Sequence, residues 1–272
     1  MSKRPLGAYA QRNFNQDKNE VERLRLQATI AIDREKKAWQ EAGLLAGMQV
    51  LDLGCGPGFT SRELVRQVGQ EGHVTGIDVN PTLLEIAHKT QQESPLANLG
   101  FQQGNVYDLA FPETSFDFVY ARFVFQHLAD PQAVLSQIQR VLKPGGICCI
   151  LDVDDSWTSF TPATSAFKRF LHASGKAQNR RNGNRHIGSE LPRIMSHQRF
   201  IDVKTQIIPL TTPQIGIKPF LGLAVSFRLD PMQRFQRMRM LPYLRKIKQA
   251  AADPHAWGAV GIFVTSGKTP TV

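Results

Sequence analysis

The chain has 272 residues, 42% of them hydrophobic and 21% charged, the balance of a globular protein long enough for one α/β domain with additions. No apolar run reaches the roughly 20 residues needed to cross a bilayer, Met1–Pro5 lacks the apolar core of a secretory signal, and three cysteines, two of them adjacent at Cys148 and Cys149, form neither a disulfide framework nor a metal-ligand spacing. A cytoplasmic location is expected, and the net charge of +10 is compatible with nucleic acid or another acidic partner.

Residues 1–16 read as irregular. From Asp17 to Ala42, Val21, Leu24, Ala28, Ala31 and Trp39 form an apolar face, predicting a helix that Gly43 ends. Strands and helices then alternate, with strands predicted near 49–53, 73–78, 98–103, 116–121 and 146–152 and helices near 59–69, 81–93 and 131–142. Asn80-Pro81 and Asp130-Pro131 each place an N-cap side chain before a first-turn proline. Lys143-Pro144-Gly145-Gly146 reads as a helix stop and turn. This βαβ rhythm predicts a mostly parallel sheet with helices on both faces. After Asp155 the rhythm changes. Helices are expected near 161–174, 188–197 and 231–251, and closing strands near 200–209 and 259–265, which makes seven strands.

Val50-Leu51-Asp52-Leu53-Gly54-Cys55-Gly56-Pro57-Gly58 reads as a buried strand entering a glycine-rich turn before a helix, and the next strand ends at Asp78. That is the front half of a nucleoside-binding unit. The spacing is G-x-G-x-G rather than the dinucleotide G-x-G-x-x-G. A carboxylate within the strand, Asp52, has no use beside a pyrophosphate, whereas a ligand with a free amino group and a sulfonium gains from it.

The segment Val50–Gly58 resembles motif I of class I S-adenosylmethionine-dependent methyltransferases. The resemblance continues through Gly76-Ile77-Asp78, Gly104-Asn105-Val106-Tyr107-Asp108-Leu109, Phe116-Asp117-Phe118-Val119-Tyr120 and Val141-Leu142-Lys143-Pro144-Gly145-Gly146. It implies a Rossmann-like fold of the small-molecule methyltransferase type, with S-adenosyl-L-methionine as cofactor and S-adenosyl-L-homocysteine as product. By this resemblance Asp52 meets the methionine ammonium, and Gly54, Cys55, Gly56 and Gly58 supply close backbone. Asp78 takes the ribose hydroxyls, Val79 lies on adenine, and Asn105 and the Val106 N–H meet the adenine edge. Arg122 is also placed among the cofactor residues. Glu20, Arg23 and Gln27 share one helical face. With Tyr9 they resemble a lid segment over the cofactor, Arg23 pairing the cofactor carboxylate. The expected division is a lid over 1–42, a cofactor core over 43–155, and a cap insertion plus closing strands over 156–272.

Methyl transfer needs alignment and exclusion of water, and a base only for a protonated nucleophile. His127 is the candidate general base, and Phe123, Asp154 and Trp157 are candidate substrate contacts. No metal site is expected. The favoured reading is a methyltransferase (EC 2.1.1.-) acting on an O, N or C nucleophile of a small molecule, with an apolar cap rich in residues such as Phe160, Phe167, Phe170 and Phe220. An enzyme of RNA or another acidic macromolecule, and a non-catalytic cofactor-binding regulator, are the alternatives.

Overall fold

The computed structural model describes residues 18–229, 232 and 234–271, without the side chains of residues 18–20, 23, 227 and 234. Seven strands form one sheet: β1 (Gln49–Leu53), β2 (His73–Asp78), β3 (Leu99–Gln103), β4 (Phe116–Arg122), β5 (Leu142–Thr161), β6 (Ile201–Thr211) and β7 (Trp257–Lys268), in the order β3-β2-β1-β4-β5-β7-β6. The first five pair in parallel. β7 runs antiparallel between β5 and β6, so the mostly parallel seven-stranded sheet is present, with its antiparallel part at one end. The chain reverses order between β1 and β4, and the C-terminal ends of these strands open the crevice in which α/β folds bind ligands.

The helices follow from the sequence pattern. α1 (Lys18–Thr29) and α2 (Ile32–Ala42) replace the single helix predicted from the N-terminal periodicity. They break at Ala31, whose φ of −125° and ψ of 7° leave the helical region. α3 (Phe59–Val68), α4 (Pro81–Glu93) and α5 (Pro131–Val141) connect the parallel strands. The Asn80 side chain accepts from the N–H groups of Thr82 and Leu83, and that of Asp130 from Ala133, as cap residues before proline should.

Side-chain alternation along the strands sorts the core into two layers. Leu51, Leu53, Ile77, Val119, Ala121, Cys148 and Ile150 pack with α5 residues Val134, Leu135 and Ile138. Val50, Val74, Phe118, Tyr120, Cys149 and Leu151 pack with Ala38 and Trp39 of α2 and Leu64 of α3. Adjacent Cys148 and Cys149 thus face opposite layers, both buried as free thiols.

The helical insertion expected ahead of the last strands comes in two pieces. α6 (Ser165–Asn179) and α7 (Ile187–His197) precede β6; α8 (Thr212–Ile215), α9 (Ile217–Ala224) and α10 (Arg234–Ala251) lie between β6 and β7. α7 is a sheet helix rather than part of a cap: Ile187, Leu191, Ile194 and Met195 join the core of the α5 layer. The cap proper has its own apolar core, in which Phe160, Phe167, Phe170, Phe220, Ile247 and Val260 are buried together. β5 runs beyond its predicted end at 152 because, past an irregularity after Val153, it keeps pairing with β7 through Thr158–Thr161. This carries Asp152, Asp154 and Asp155 inside the fold rather than onto a solvated loop.

Candidate active site

The β1–α3 turn takes left-handed backbone at Gly54 (φ 68°) and Gly58 (φ 76°), where a Cβ is strained. A Cβ on Gly54 would also come within 2.6 Å of the Val124 side chain. Gly54, Cys55 and Gly56 border a cleft of about 270 Å³ at the strand ends. Gly58 is not among its lining residues; it caps α3, and a Cβ there would strike the Phe101 ring.

Two carboxylates flank this turn. Asp52, 1% exposed, accepts from Ser61 Oγ at 2.6 Å through one oxygen. Burial pushes its pKa from 3.8 up to about 7, against the lowering influence of Ser61 and Arg122. Asp78 ends β2 and accepts from the N–H groups of Gly56 (2.9 Å) and Asn80 (2.8 Å). Burial raises its pKa as well. Both carboxylates line the cleft, as do Val79, Asn105 and Val106. The Asn105 side-chain carbonyl already accepts from the Tyr107 N–H at 3.0 Å, so one of its two lone pairs is engaged.

Arg122, expected among the cofactor residues, has protein partners of its own. It borders the cleft, but its Nε and Nη2 bond Glu35 at 2.8 and 2.7 Å, and Nη2 also bonds the Gln27 carbonyl at 2.7 Å. The same Glu35 accepts from Tyr120 Oη at 3.1 Å. Arg122 therefore anchors α1 and α2 to the end of β4. Glu35 is fully buried and was missed in the sequence; its signal was an acid on the apolar Ala31-Ala38-Trp39 face. Leu24, Gln27 and Ala28 of α1 line the cleft. Tyr9 lies outside the described residues, and so does the Arg23 side chain.

His127 lies in a short 3-10 helix, Phe125–His127, and lines the cleft with Phe123. Gln178 Nε2 bonds both the Gln126 carbonyl and His127 Nδ1, each at 2.9 Å. Since the carbonyl can only accept, the amide nitrogen is the donor and Nδ1 accepts. Burial, and then the Arg185 charge, lower the His127 pKa to about 4. A neutral imidazole with Nδ1 engaged and so low a basicity argues against the general-base expectation.

Asp154 and Trp157 are not among the cleft residues. Asp154 holds Ser156 Oγ at 2.6 Å, His186 Nδ1 at 2.9 Å and the Ser189 hydroxyl. Burial pushes its pKa up, but these bonds hold it below the ordinary carboxylate range. Trp157 is 52% exposed and packs edge-on against Phe263, ring centres 5.6 Å apart. The end of the cleft nearest the cap is instead lined by Gln126, Gln178, Arg181, Arg185, Leu223 and Arg228. The arginines carry no local signal in the sequence because their partner is remote: Arg185 and Arg228 both meet Asp155. Among the described residues, no group of acids, histidines and cysteines could hold a metal ion.

The methyltransferase-domain family model matches residues 44–199. Among curated proteins, the chain is 39% identical over 126 residues to a demethylmenaquinone methyltransferase from Listeria welshimeri, a match covering 46% of this chain and 53% of that protein. The chain thus spans about half the length of the curated relatives it matches first. Among solved structures, it is similar to phosphoethanolamine N-methyltransferase 2 from Haemonchus contortus in complex with S-adenosylhomocysteine, at a TM-score of 0.55 and 19% identity, covering 92% of this chain and 52% of that one. The [4+2]-cyclase SpnF is similar at a TM-score of 0.58 and 19% identity, over 88% of this chain and 81% of that chain. These structural likenesses establish the fold; a cyclase among them illustrates that the fold alone does not choose the reaction.

Proposed function

We propose, since this chain belongs to the methyltransferase-domain family, that it uses S-adenosylmethionine to methylate a small molecule with an apolar body. The observation that carries the cofactor assignment is the pair of buried carboxylates, Asp52 and Asp78, flanking the glycine turn at the ends of adjacent parallel strands. The residues fit the cofactor. Asp52, held near neutrality by burial, gains from a cationic partner such as an ammonium, and Asp78 can accept from two vicinal hydroxyls. Val79 and Leu83 offer apolar surface to a base, and the Val106 N–H can donate at its edge. A diphosphate gains nothing from either acid.

S-adenosylmethionine, when bound, supplies a methyl activated by the positive sulfur. The protein's part is to bind, align and keep out water. α1 closes one side of the cleft through Leu24, Gln27 and Ala28, while Leu223, Val260 and Ile262 supply apolar wall. Gln178 fixes the His127 ring and its tautomer, which makes His127 a positioning residue rather than a base. The curated relatives support a small acceptor. An acidic macromolecule stays a second reading because Lys168, Arg169 and Lys176 of α6 and Arg237, Arg239, Arg245, Lys246 and Lys248 of α10 lie on two helices that pack together; it requires nucleic-acid binding that falls steeply with salt.

Titration calorimetry with S-adenosylhomocysteine tests the cofactor assignment. Asp78→Ala is expected to weaken binding about tenfold or more, or roughly 1.4 kcal/mol. An unchanged affinity would overturn the site.

A further inference from the structure

At the cap end of the cleft, two arginines converge on one acid. Arg185 Nε and Nη2 lie 3.1 and 2.9 Å from Asp155 Oδ1, and Arg228 Nη1 touches the same oxygen. Arg185 Nη1 bonds the Gln126 side chain, and Arg228 Nη2 bonds Thr158 Oγ1 at 2.9 Å. Arg228 is 1% exposed, yet its Nε has no hydrogen-bond partner and Nη1 meets Asp155 without hydrogen-bond geometry. Arg181, exposed at the mouth, makes no ion pair with any described residue and lines the same cleft.

The other acids nearby do not balance these cations. Asp154 is engaged with Ser156, His186 and Ser189. Asp152 places its oxygens on the N–H groups of Gln126 (3.0 Å) and Val153 (2.9 Å), and burial raises its pKa to about 7 against the lowering influence of these bonds and of the Arg185 charge, so it offsets that arginine only in part. Burial, and then the charge of Arg185, push Arg228 down to about 10. An excess buried cation is costly unless an anion completes it. The arginine fork matches a planar or tetrahedral oxyanion through paired N–H groups.

We propose that Arg228, Arg185 and Arg181 form an anion subsite, and that the methyl acceptor carries an oxyanion, a carboxylate or phosphate group, at the end of its apolar body. That the ligand is the methyl acceptor rests on the methyltransferase reading; the anion subsite does not. Leu223, Val260 and Ile262 border the same space, so the ligand joins an apolar part to a charged end. The near-complete burial of Arg228 favours a terminal group over the backbone of a polymer, which could not be threaded past it.

The test uses benzoate, phenyl phosphate and their neutral counterparts benzamide and benzyl alcohol as probes. Each is titrated by saturation-transfer NMR against the full chain, with and without S-adenosylhomocysteine. One of the anions is expected to bind about tenfold tighter than the neutral probes. Preference for benzoate assigns a carboxylate and preference for phenyl phosphate a phosphate. Arg228→Met leaves the Asp155–Arg185 pair in place and is expected to abolish the preference. Arg181→Gln changes an exposed side chain, keeps the fold and is expected to weaken anion binding at least about threefold, which decides the matter even if Arg228→Met does not fold. Equal binding of charged and neutral probes, or a preference unchanged in every folded variant, overturns the subsite. Failure of S-adenosylhomocysteine to bind would overturn the cofactor reading and leave the anion measurement standing on its own.

Discussion

At the scale of single residues, the cofactor end of the cleft is governed by how far burial moves a carboxylate. Asp52 has its pKa raised from 3.8 to about 7. In the ligand-free protein, its contribution to stability is therefore fully present below 3.8 and is lost as pH rises toward 7. A bound ammonium reverses the balance by favouring the ionised form. S-adenosylhomocysteine affinity is accordingly expected to rise about tenfold between pH 6 and pH 8, with net proton release, detectable by calorimetry in buffers of different ionisation enthalpy. Asp52→Asn should flatten that pH dependence, bind more weakly at pH 8 and lose less stability than the parent between pH 5 and 8. A variant that kept the parent's pH dependence would separate Asp52 from the ligand. The position of Asp52 at the turn is legible from motif spacing alone. Its altered basicity is a property of the surrounding fold. The same holds for His127, whose sequence position suggested a base, and whose Gln178 bond and burial argue against one.

At the scale of elements, the join between the N-terminal helices and the sheet combines the packing of Ala38 and Trp39 against the strands with one buried ion pair. Glu35 of α2 meets Arg122 of β4, the acid fully buried and the arginine side chain 10% exposed. Removing one partner of such a pair strands the other charge, at a cost of about 3–5 kcal/mol. Glu35→Ala is expected to lower unfolding free energy in urea by that amount. It should also weaken S-adenosylhomocysteine binding, because α1, which lines the cleft, is held through the Arg122 bond to the Gln27 carbonyl. A loss below about 1 kcal/mol would show that water compensates the pair. Helix starts at Asn80 and Asp130 were legible because the cap and the first-turn proline are neighbours in sequence. The break after Thr29 was not: the apolar face continues across it, while in the fold α2 packs on β5 and β7 and α1 on α3 and α9.

At the scale of the whole molecule, a parallel sheet with the cleft at its strand ends carries a cap with a core of its own. Phe170 of α6 is fully buried in that core and does not line the cleft. Phe170→Ala is expected to cost about 3–5 kcal/mol of stability while S-adenosylhomocysteine affinity stays within about twofold of the parent, since α6 supplies none of the cofactor residues. A proportionate loss of cofactor affinity would mean that the cap and cofactor core act as one unit. The sequence by itself determined the alternation of strands and helices, the glycine turn after Leu53, and the acids at Asp52 and Asp78. Each of these is written in spacing and periodicity over a few residues, and local sterics enforce it. Only the tertiary structure decided that α7 covers the sheet, that Glu35 ties the N-terminal helices to β4, and that Arg185 and Arg228 share Asp155. Their partners lie 30 to 87 residues apart, and pairing over such distances is selected by packing and charge compensation in the folded chain.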